Sequence, residues 1–312
     1  MLISEFIALV VFLLVVAAVY ILEFGFVIVF IFNKLRSRNK KNSLVTKPAV
    51  LIHILAVIGV ICFLYGYFIE PYRVEVKMIP IRTSKLKQTS FRIVQISDLH
   101  CDRKMRNEKT IVKLINSLEP DVIVFTGDAV NTSAALLLFK GTMKNLKASL
   151  AKFAVYGNFE IPRRGELDYY SDTSFELLDA RTVVVSKNDE TLWFSGLSCD
   201  NPQAAGGMLG ELSAESFNVF LFHFPDLIED MEGLNVDLYL CGHTHGGQIS
   251  LPFYGALVTM SKMGKKYESG MYAVGKTMLY VNRGIGLEPG PAPQVRFLAR
   301  PEVTVFDIVP EK

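Results

Sequence analysis

Paired-cysteine motifs, serine-nucleophile motifs, repeats and a surplus of positive charge are all missing from this sequence, and most of these absences close a class of function. The 312 residues hold four cysteines, Cys62, Cys101, Cys199 and Cys241, with no Cys-x-x-Cys pair among them. That argues against a zinc ribbon or a disulfide scaffold. No Gly-x-Ser-x-Gly occurs, so the nucleophile elbow of a serine hydrolase is absent. No internal repeat or low-complexity tract appears either. The chain carries 33 Lys and Arg against 31 Asp and Glu; six of those bases and three of the acids fall in the first 70 residues, which leaves 27 against 28 beyond them. Nucleic-acid binding normally needs a basic surplus to meet phosphates, and a nucleic-acid partner is not expected.

Half of the residues are hydrophobic, and the excess sits at the front. Phe6 to Leu22 carries no charge; after Glu23 an apolar run continues to Phe32, and a second run, Ala49 to Ile69, holds only His53 as an ionisable group. Roughly twenty apolar residues at about 1.5 Å each cross a bilayer core of about 30 Å. Two transmembrane helices are therefore predicted within residues 1–70. Buried core helices would show a polar face. A cleaved signal peptide would be shorter, with basic residues ahead of it. Glu23 and His53 either pair across the hairpin or sit near the headgroups. The loop at 34–47 holds Lys34, Arg36, Arg38, Lys40, Lys41 and Lys47 with no acid. Such loops stay on the cytoplasmic side and favour anionic lipid, which weighs toward residues 71–312 lying outside the cytoplasm. Arg73, Lys77, Arg82, Lys85 and Lys87 weigh the other way.

Residues 71–90 read as a connector or a first edge strand, and 91–312 as one domain. From Phe91 a rhythm begins. The β-prone stretch Phe91–Ile96 ends in Ser97-Asp98-Leu99-His100; Asn107–Leu118 has helical periodicity; Val122–Phe125 ends in Thr126-Gly127-Asp128. Ala134–Leu150 is again helical, Phe153–Tyr156 leads into Gly157-Asn158, Phe217–Phe222 into His223, and Leu238–Cys241 into Gly242-His243-Thr244-His245. Alternating strand, polar loop and helix predict a layered α/β domain, whose sites collect beyond the strand ends. Each polar motif falls there.

Four of the five histidines, His100, His223, His243 and His245, follow apolar strands and are joined by Asp98, Asp128 and Asn158. Imidazole with carboxylate is a ligand set that first-row divalent metals accept. In an extended segment, alternate residues project to one side, so Asp98-x-His100 and His243-x-His245 can each reach a common point.

The ordered blocks Asp98-Leu99-His100, Gly127-Asp128, Gly157-Asn158, His223 and Gly242-His243-Thr244-His245 resemble the calcineurin-like metallophosphoesterase superfamily over about half the chain. The resemblance implies a β-sandwich flanked by helices. It also implies two divalent ions, manganese, iron or zinc, held about 3.5–4 Å apart. One ion would take Asp98, His100 and His245, the other Asn158, His223 and His243, with Asp128 bridging. An activated hydroxide would then attack phosphorus, and Asp98, Asp128, Asn158 and His243 are the residues implied as catalytic.

The family commonly places histidine after Gly-Asn, whereas this chain reads Gly157-Asn158-Phe159-Glu160. Phenylalanine neither donates a proton nor bonds a phosphate oxygen. A leaving group that departs unassisted, such as a nucleotide or pyrophosphate, fits that change. Departures here also occur in the superfamily's sugar-nucleotide lipid hydrolases, which makes a lipid-linked pyrophosphate such as UDP-2,3-diacylglucosamine one expected substrate. The alternatives are a catalytically weak metal-binding or sensory protein, and a protein phosphatase. Arg103-Lys104-Met105-Arg106 and Arg163-Arg164 are candidates to meet substrate phosphates or are ordinary loop charge. Gly246-Gly247-Gln248 would let the backbone pass close to the site. Cys101 and Cys241 read as small buried hydrophobes.

Overall fold

The computed structural model describes residues 1–36, 46–290 and 294–311. Arg38, Lys40 and Lys41 of the basic loop lie outside the described residues. The two apolar runs form α1 (Ile3–Leu35) and α2 (Lys47–Phe68), both long and apolar enough to cross a membrane. Pro48 sits in the first turn of α2, where its missing N–H has no helical partner to lose. The helices run antiparallel: Glu23 pairs with His53 at 2.5 Å, and Tyr20 donates to the Ala56 carbonyl at 3.1 Å. The start of α1 and the end of α2 therefore lie at the same end of the hairpin.

That end is fastened to the rest of the chain. Glu5 accepts from the Thr259 N–H at 2.9 Å and its hydroxyl at 2.6 Å. The Gly66 carbonyl accepts from the Arg296 N–H at 2.9 Å, and Glu70 from the Ala299 N–H at 2.6 Å. Only one residue, Ile69, separates Phe68, where α2 ends, from Glu70.

Beyond the hairpin the order is β1 (Glu75–Thr83), β2 (Phe91–Ile96), α3 (Glu108–Ser117), β3 (Val122–Phe125), α4 (Leu136–Lys144), β4 (Ala151–Ala154) and β5 (Glu176–Leu177). Next come β6 (Arg181–Lys187), β7 (Glu190–Gly196), α5 (Ala205–Gly210), β8 (Phe217–Leu221) and β9 (Leu238–Cys241). The chain closes with β10 (Ser250–Leu251), β11 (Gly255–Ala256), β12 (Gly270–Val274), β13 (Thr277–Val281) and β14 (Glu302–Pro310).

Two six-stranded sheets result, in the orders β1-β14-β2-β3-β4-β5 and β12-β13-β9-β8-β7-β6. Ile93, Val122, Val124, Phe153 and Phe306 of the first meet Phe194, Val219, Leu221, Leu238 and Leu240 of the second in one buried layer. The outer face of the first sheet packs against Ile111 and Ile115 of α3 and Phe139 and Met143 of α4; Leu209 of α5 covers the second. This is the expected β-sandwich flanked by helices. Each fully buried Leu, Val or Phe of the middle layer contributes about 1.5–3 kcal/mol of transfer free energy.

Strands β2, β3 and β4 run parallel, as do β7, β8, β9 and β13. Their registers pair Ile96 with Phe125, Phe125 with Ala154, and Leu221 with Leu240. The polar loops thus leave the two sheets at one level, and Gln95 ties the sheets there by donating to the Cys241 carbonyl at 2.9 Å. The stretch at 71–90 contributes an edge strand: β1 pairs with β14 in parallel from Glu75–Glu302 to Thr83–Pro310. The second expected helix is shorter than its periodicity suggested. It stops at Lys144, because the next residues turn to bond Ser149 to the Pro120 carbonyl and Leu150 to that of Asp121, which sets up β4 beside β3.

Candidate metal centre

The strand-end loops bring all seven predicted side chains to one place, where two groups form. Asp98, His100 and His245 make the first; Asp128, His223 and His243 make the second, and within each the ligand atoms lie within 4.8 Å of one another. In the first group His100 Nε2 faces His245 Nε2 at 3.2 Å, and His245 Nε2 lies 3.3 Å from Asp98 Oδ1. In the second, Asp128 Oδ2 and Asn158 Oδ1 each stand 3.1 Å from His223 Nε2. Asp128 Oδ2 is also 3.6 Å from His100 Nε2, which sets this one oxygen between the groups. His243-x-His245 therefore does not serve one point, since its two rings go to different groups.

Convergence is achieved by turning the backbone over. Asp98, His100, Asp128, His243 and His245 all have positive φ, from 39° to 71°. That region is sparsely populated by residues with a Cβ, and side chains held there store strain that the surrounding structure must offset. The extended geometry expected for Asp98-x-His100 is thus replaced by left-handed residues. Glycine makes the crowding possible: a Cβ on Gly242 would collide with Ser97 Oγ and Asp98 Oδ2, and one on Gly157 with Asp128 Oδ1.

The donor set fits a cation. His223 Nδ1 faces the Thr126 carbonyl at 2.7 Å, which can only accept, so Nδ1 carries the hydrogen. The Nε2 lone pair of a neutral ring then points at two oxygens that also only accept, and a positive charge is required among them. His100 is fixed the same way. Asn131 gives both amide hydrogens to Asp102 Oδ1 and the Leu287 carbonyl, so its Oδ1 must be the partner of His100 Nδ1 at 2.8 Å. Arrangements in which one ring nitrogen is tied behind and the other faces forward are typical of metal-ligating histidines.

Electrostatics follow from burial and from these carboxylates. Burial lowers His100 to about 4 and His243 to about 4. Burial also opposes the charged form of His223, but the charge and hydrogen bond of Asp128 outweigh it and raise the ring to about 10. Burial pushes the Asp98 and Asp128 carboxyls up, yet the surrounding imidazoles win and hold both below the ordinary carboxylate range.

The profile of the calcineurin-like phosphoesterases matches residues 91–247, the stretch that contains all seven side chains. The chain belongs to this family. An uncharacterized metallophosphoesterase of Bacillus subtilis (strain 168), YkuE, is 35% identical over 266 residues, covering 78% of this chain and 89% of that protein. Phosphodiesterase YaeI of Escherichia coli (strain K12) is 28% identical over 264 residues, covering 79% and 93%. UDP-2,3-diacylglucosamine pyrophosphatase LpxG of Chlamydia muridarum (strain MoPn / Nigg) is 26% identical over 313 residues, covering 79% and 93%.

Several residues of this phosphoesterase's site were not singled out from the sequence. Glu160, fully buried, accepts from the backbone N–H groups of Asp128 at 3.1 Å, Ala129 at 2.5 Å and Gly157 at 2.7 Å. It staples the Asp128 loop to the Asn158 loop. Burial, with the Asp128 charge adding, lifts this carboxyl to about 7. Arg296, also fully buried, reaches His245 Nδ1 at 3.2 Å and donates to the carbonyls of Arg283, Gly286 and Ala299 at 2.7–3.0 Å. Burial pulls it down to about 9. Asn131, behind His100, completes the set. For Glu160, adjacency to the Gly-Asn block was a usable signal; Arg296 lies 51 residues from His245 in an irregular segment and carried none.

Other expectations resolve plainly. Phe159 sets its ring edge-on to His100, centroids 4.5 Å apart, and its N–H bonds Asp128 Oδ1 at 2.9 Å. Arg164 is held by Asp179 and Asp200, an ordinary surface use. Thr244 donates to the Glu268 carbonyl at 2.7 Å, a structural role. Gly246, Gly247 and Gln248 all have positive φ and turn the chain away from His245. Cys101 and Cys241 are buried, and burial raises both thiols well above their ordinary range.

Proposed function

We propose that this phosphoesterase is a two-metal hydrolase of phosphoester or pyrophosphate bonds, tethered to a membrane by α1 and α2, with residues 1–70 as anchor and 91–312 as the catalytic part. Asp98, His100 and His245 would hold one ion and Asn158, His223 and His243 the other, with Asp128 shared between them. The observation that carries the reading is the position of Asp128 Oδ2, 3.1 Å from His223 Nε2 and 3.6 Å from His100 Nε2. Bound divalent metal supplies Lewis acidity toward phosphoryl oxygens and lowers the pKa of water; manganese, iron and zinc all suit this donor set. The chain's own part is to hold the two groups at a fixed separation in a buried pocket. Asn158 contributes an amide oxygen without adding negative charge.

The substrate reading follows from Phe159. An edge-on phenyl ring stands where a proton donor would assist departure, so the site suits leaving groups that need little protonation, as in a pyrophosphate. A lipid-linked pyrophosphate is the substrate class proposed, supported by the membrane-length helices and by the LpxG relative's named activity. Full-length protein in detergent, loaded with manganese, is expected to hydrolyse bis-p-nitrophenyl phosphate and to lose that activity on chelation. Absence of turnover with every metal on this activated diester would sink the hydrolase reading in favour of a metal-binding role. Phe159→His is expected to raise kcat/KM toward poor alkoxide leaving groups by at least about tenfold, since general acids contribute roughly 10²–10⁴. The same change should barely alter the p-nitrophenyl rate. Equal effects on both substrates would remove the leaving-group argument.

A further inference from the structure

An open cavity of about 600 Å³ lies beside the end of α2, lined in part by Tyr72, Asp102, Arg103, Lys104, Met105 and Arg106. The geometry points to a binding site for the phosphate headgroup of an anionic lipid, drawn from the leaflet that adjoins the catalytic part. This deepens the proposed substrate class and rests on the membrane reading of α1 and α2.

Depth comes first. Helix α2 has 22 residues, about 33 Å at 1.5 Å each, which matches a hydrocarbon core of about 30 Å with almost nothing to spare. With α2 in the bilayer, Phe68 sits at one interface, and Tyr72 follows within four residues. Asn107, next to the cavity-lining Arg106, donates to the Pro71 carbonyl at 2.7 Å. No spacer lifts the cavity off the membrane surface.

Chemistry comes second. Arg106 is paired with Asp102 Oδ2 at 3.1 Å, and Asp102 Oδ1 accepts from Asn131 at 3.0 Å, so the one lining carboxylate is already neutralised. Arg103 and Lys104 are exposed, and among the described residues neither has a hydrogen-bond or ion-pair partner. Two free cations therefore face the cavity. Tyr72 and Met105 on its wall are exposed at 54% and 47%, an apolar border suited to the upper part of acyl chains. Leu298, beside the Ala299–Glu70 bond, is exposed as well.

Placement comes third. Asn131 joins Asp102 directly to His100 Nδ1. Asp102, which lines the cavity beside Arg103, is thus two hydrogen bonds from His100 of the first metal-ligand group, and a headgroup held by Arg103 and Lys104 would lie on that side of the site.

The test is native mass spectrometry of the full chain released from detergent, titrated separately with phosphatidylglycerol, phosphatidylcholine and glycerol phosphate. Phosphatidylglycerol should bind, and Arg103→Gln/Lys104→Gln should weaken it roughly thirtyfold, from about 1 kcal/mol per basic residue at a membrane surface. Lys144→Gln/Lys147→Gln, which removes the same charge from exposed positions in and just after the last turn of α4, should bind as the wild type does. Equal affinity for phosphatidylcholine, or equal weakening by the two double variants, would overturn the site. Glycerol phosphate binding as tightly as the lipid would overturn the membrane source and leave a free phosphate as ligand. Binding is read without turnover, so failure here is separable from failure of the bis-p-nitrophenyl phosphate assay.

Discussion

Asp128→Asn is expected to lower kcat/KM on bis-p-nitrophenyl phosphate by on the order of 1,000-fold, about 4 kcal/mol of transition-state stabilisation. Bound manganese should fall to one ion per chain or fewer. The substitution keeps the volume of the side chain and removes its charge. In the wild type, one carboxylate oxygen stands between the two ligand groups while the other accepts the Phe159 N–H at 2.9 Å. Asparagine can preserve one of those arrangements and not both. An amide oxygen turned toward the groups would leave its NH₂ facing the Phe159 N–H, donor against donor. An NH₂ turned toward them would face the imidazole nitrogens and repel a cation. Elemental analysis and steady-state kinetics on the same preparation read both effects. Two ions per chain with near-normal kinetics would mean that Asp128 is not the bridge.

Arg296→Met is expected to destabilise the folded protein by about 3–5 kcal/mol and to weaken metal retention. The guanidinium satisfies three buried carbonyls and touches His245, while the Arg296 N–H bonds Gly66 in α2. A buried acceptor left without a donor costs about 1–3 kcal/mol, and partial relaxation keeps the total below the simple sum. Methionine fills much of the volume and supplies no donor. For a unit of this size 1 kcal/mol corresponds to about 2–4 °C, so Tm should fall by roughly 10 °C. The single tryptophan, Trp193, reports unfolding by fluorescence. Arg296→Lys should lie between, because an ammonium cannot reach all three carbonyls from one position. A Tm shift under about 1 °C in the methionine variant would show that the segment from Arg283 to Ala299 does not depend on this side chain.

The two variants separate two kinds of information. Asp128 announces itself in the sequence because the chemistry needs a carboxylate at a strand end, and Val122–Phe125 marks that strand plainly. The same holds for Asp98, His100, Asn158, His223, His243 and His245, each two to four residues beyond the end of β2, β4, β8 or β9, strands that short apolar runs mark. Apolar runs and strand-end motifs are local patterns, so period and composition reveal them. The β-sandwich itself rested on resemblance. Local β-propensity does not say that strands separated by a hundred residues form opposite sheets.

Arg296 and Asn131 were silent because their partners are distant in sequence or are backbone groups, which carry no residue identity. The left-handed backbone at five of the seven side chains was silent for a related reason: none of the five is glycine, and only the surrounding packing forces the conformation.

By itself the sequence determined which side chains were available for the chemistry and that two helices of membrane length precede them, since both depend on short-range pattern. Tertiary structure alone decided that Asp128 stands between the two groups, that β1 closes the first sheet by pairing with β14 across 227 residues from Glu75 to Glu302, and that the start of α1 and the end of α2 are fastened beside the ligand loops. Those outcomes depend on how two sheets stack and where a hairpin docks, and burial of a shared apolar layer sets both only when the whole chain is present.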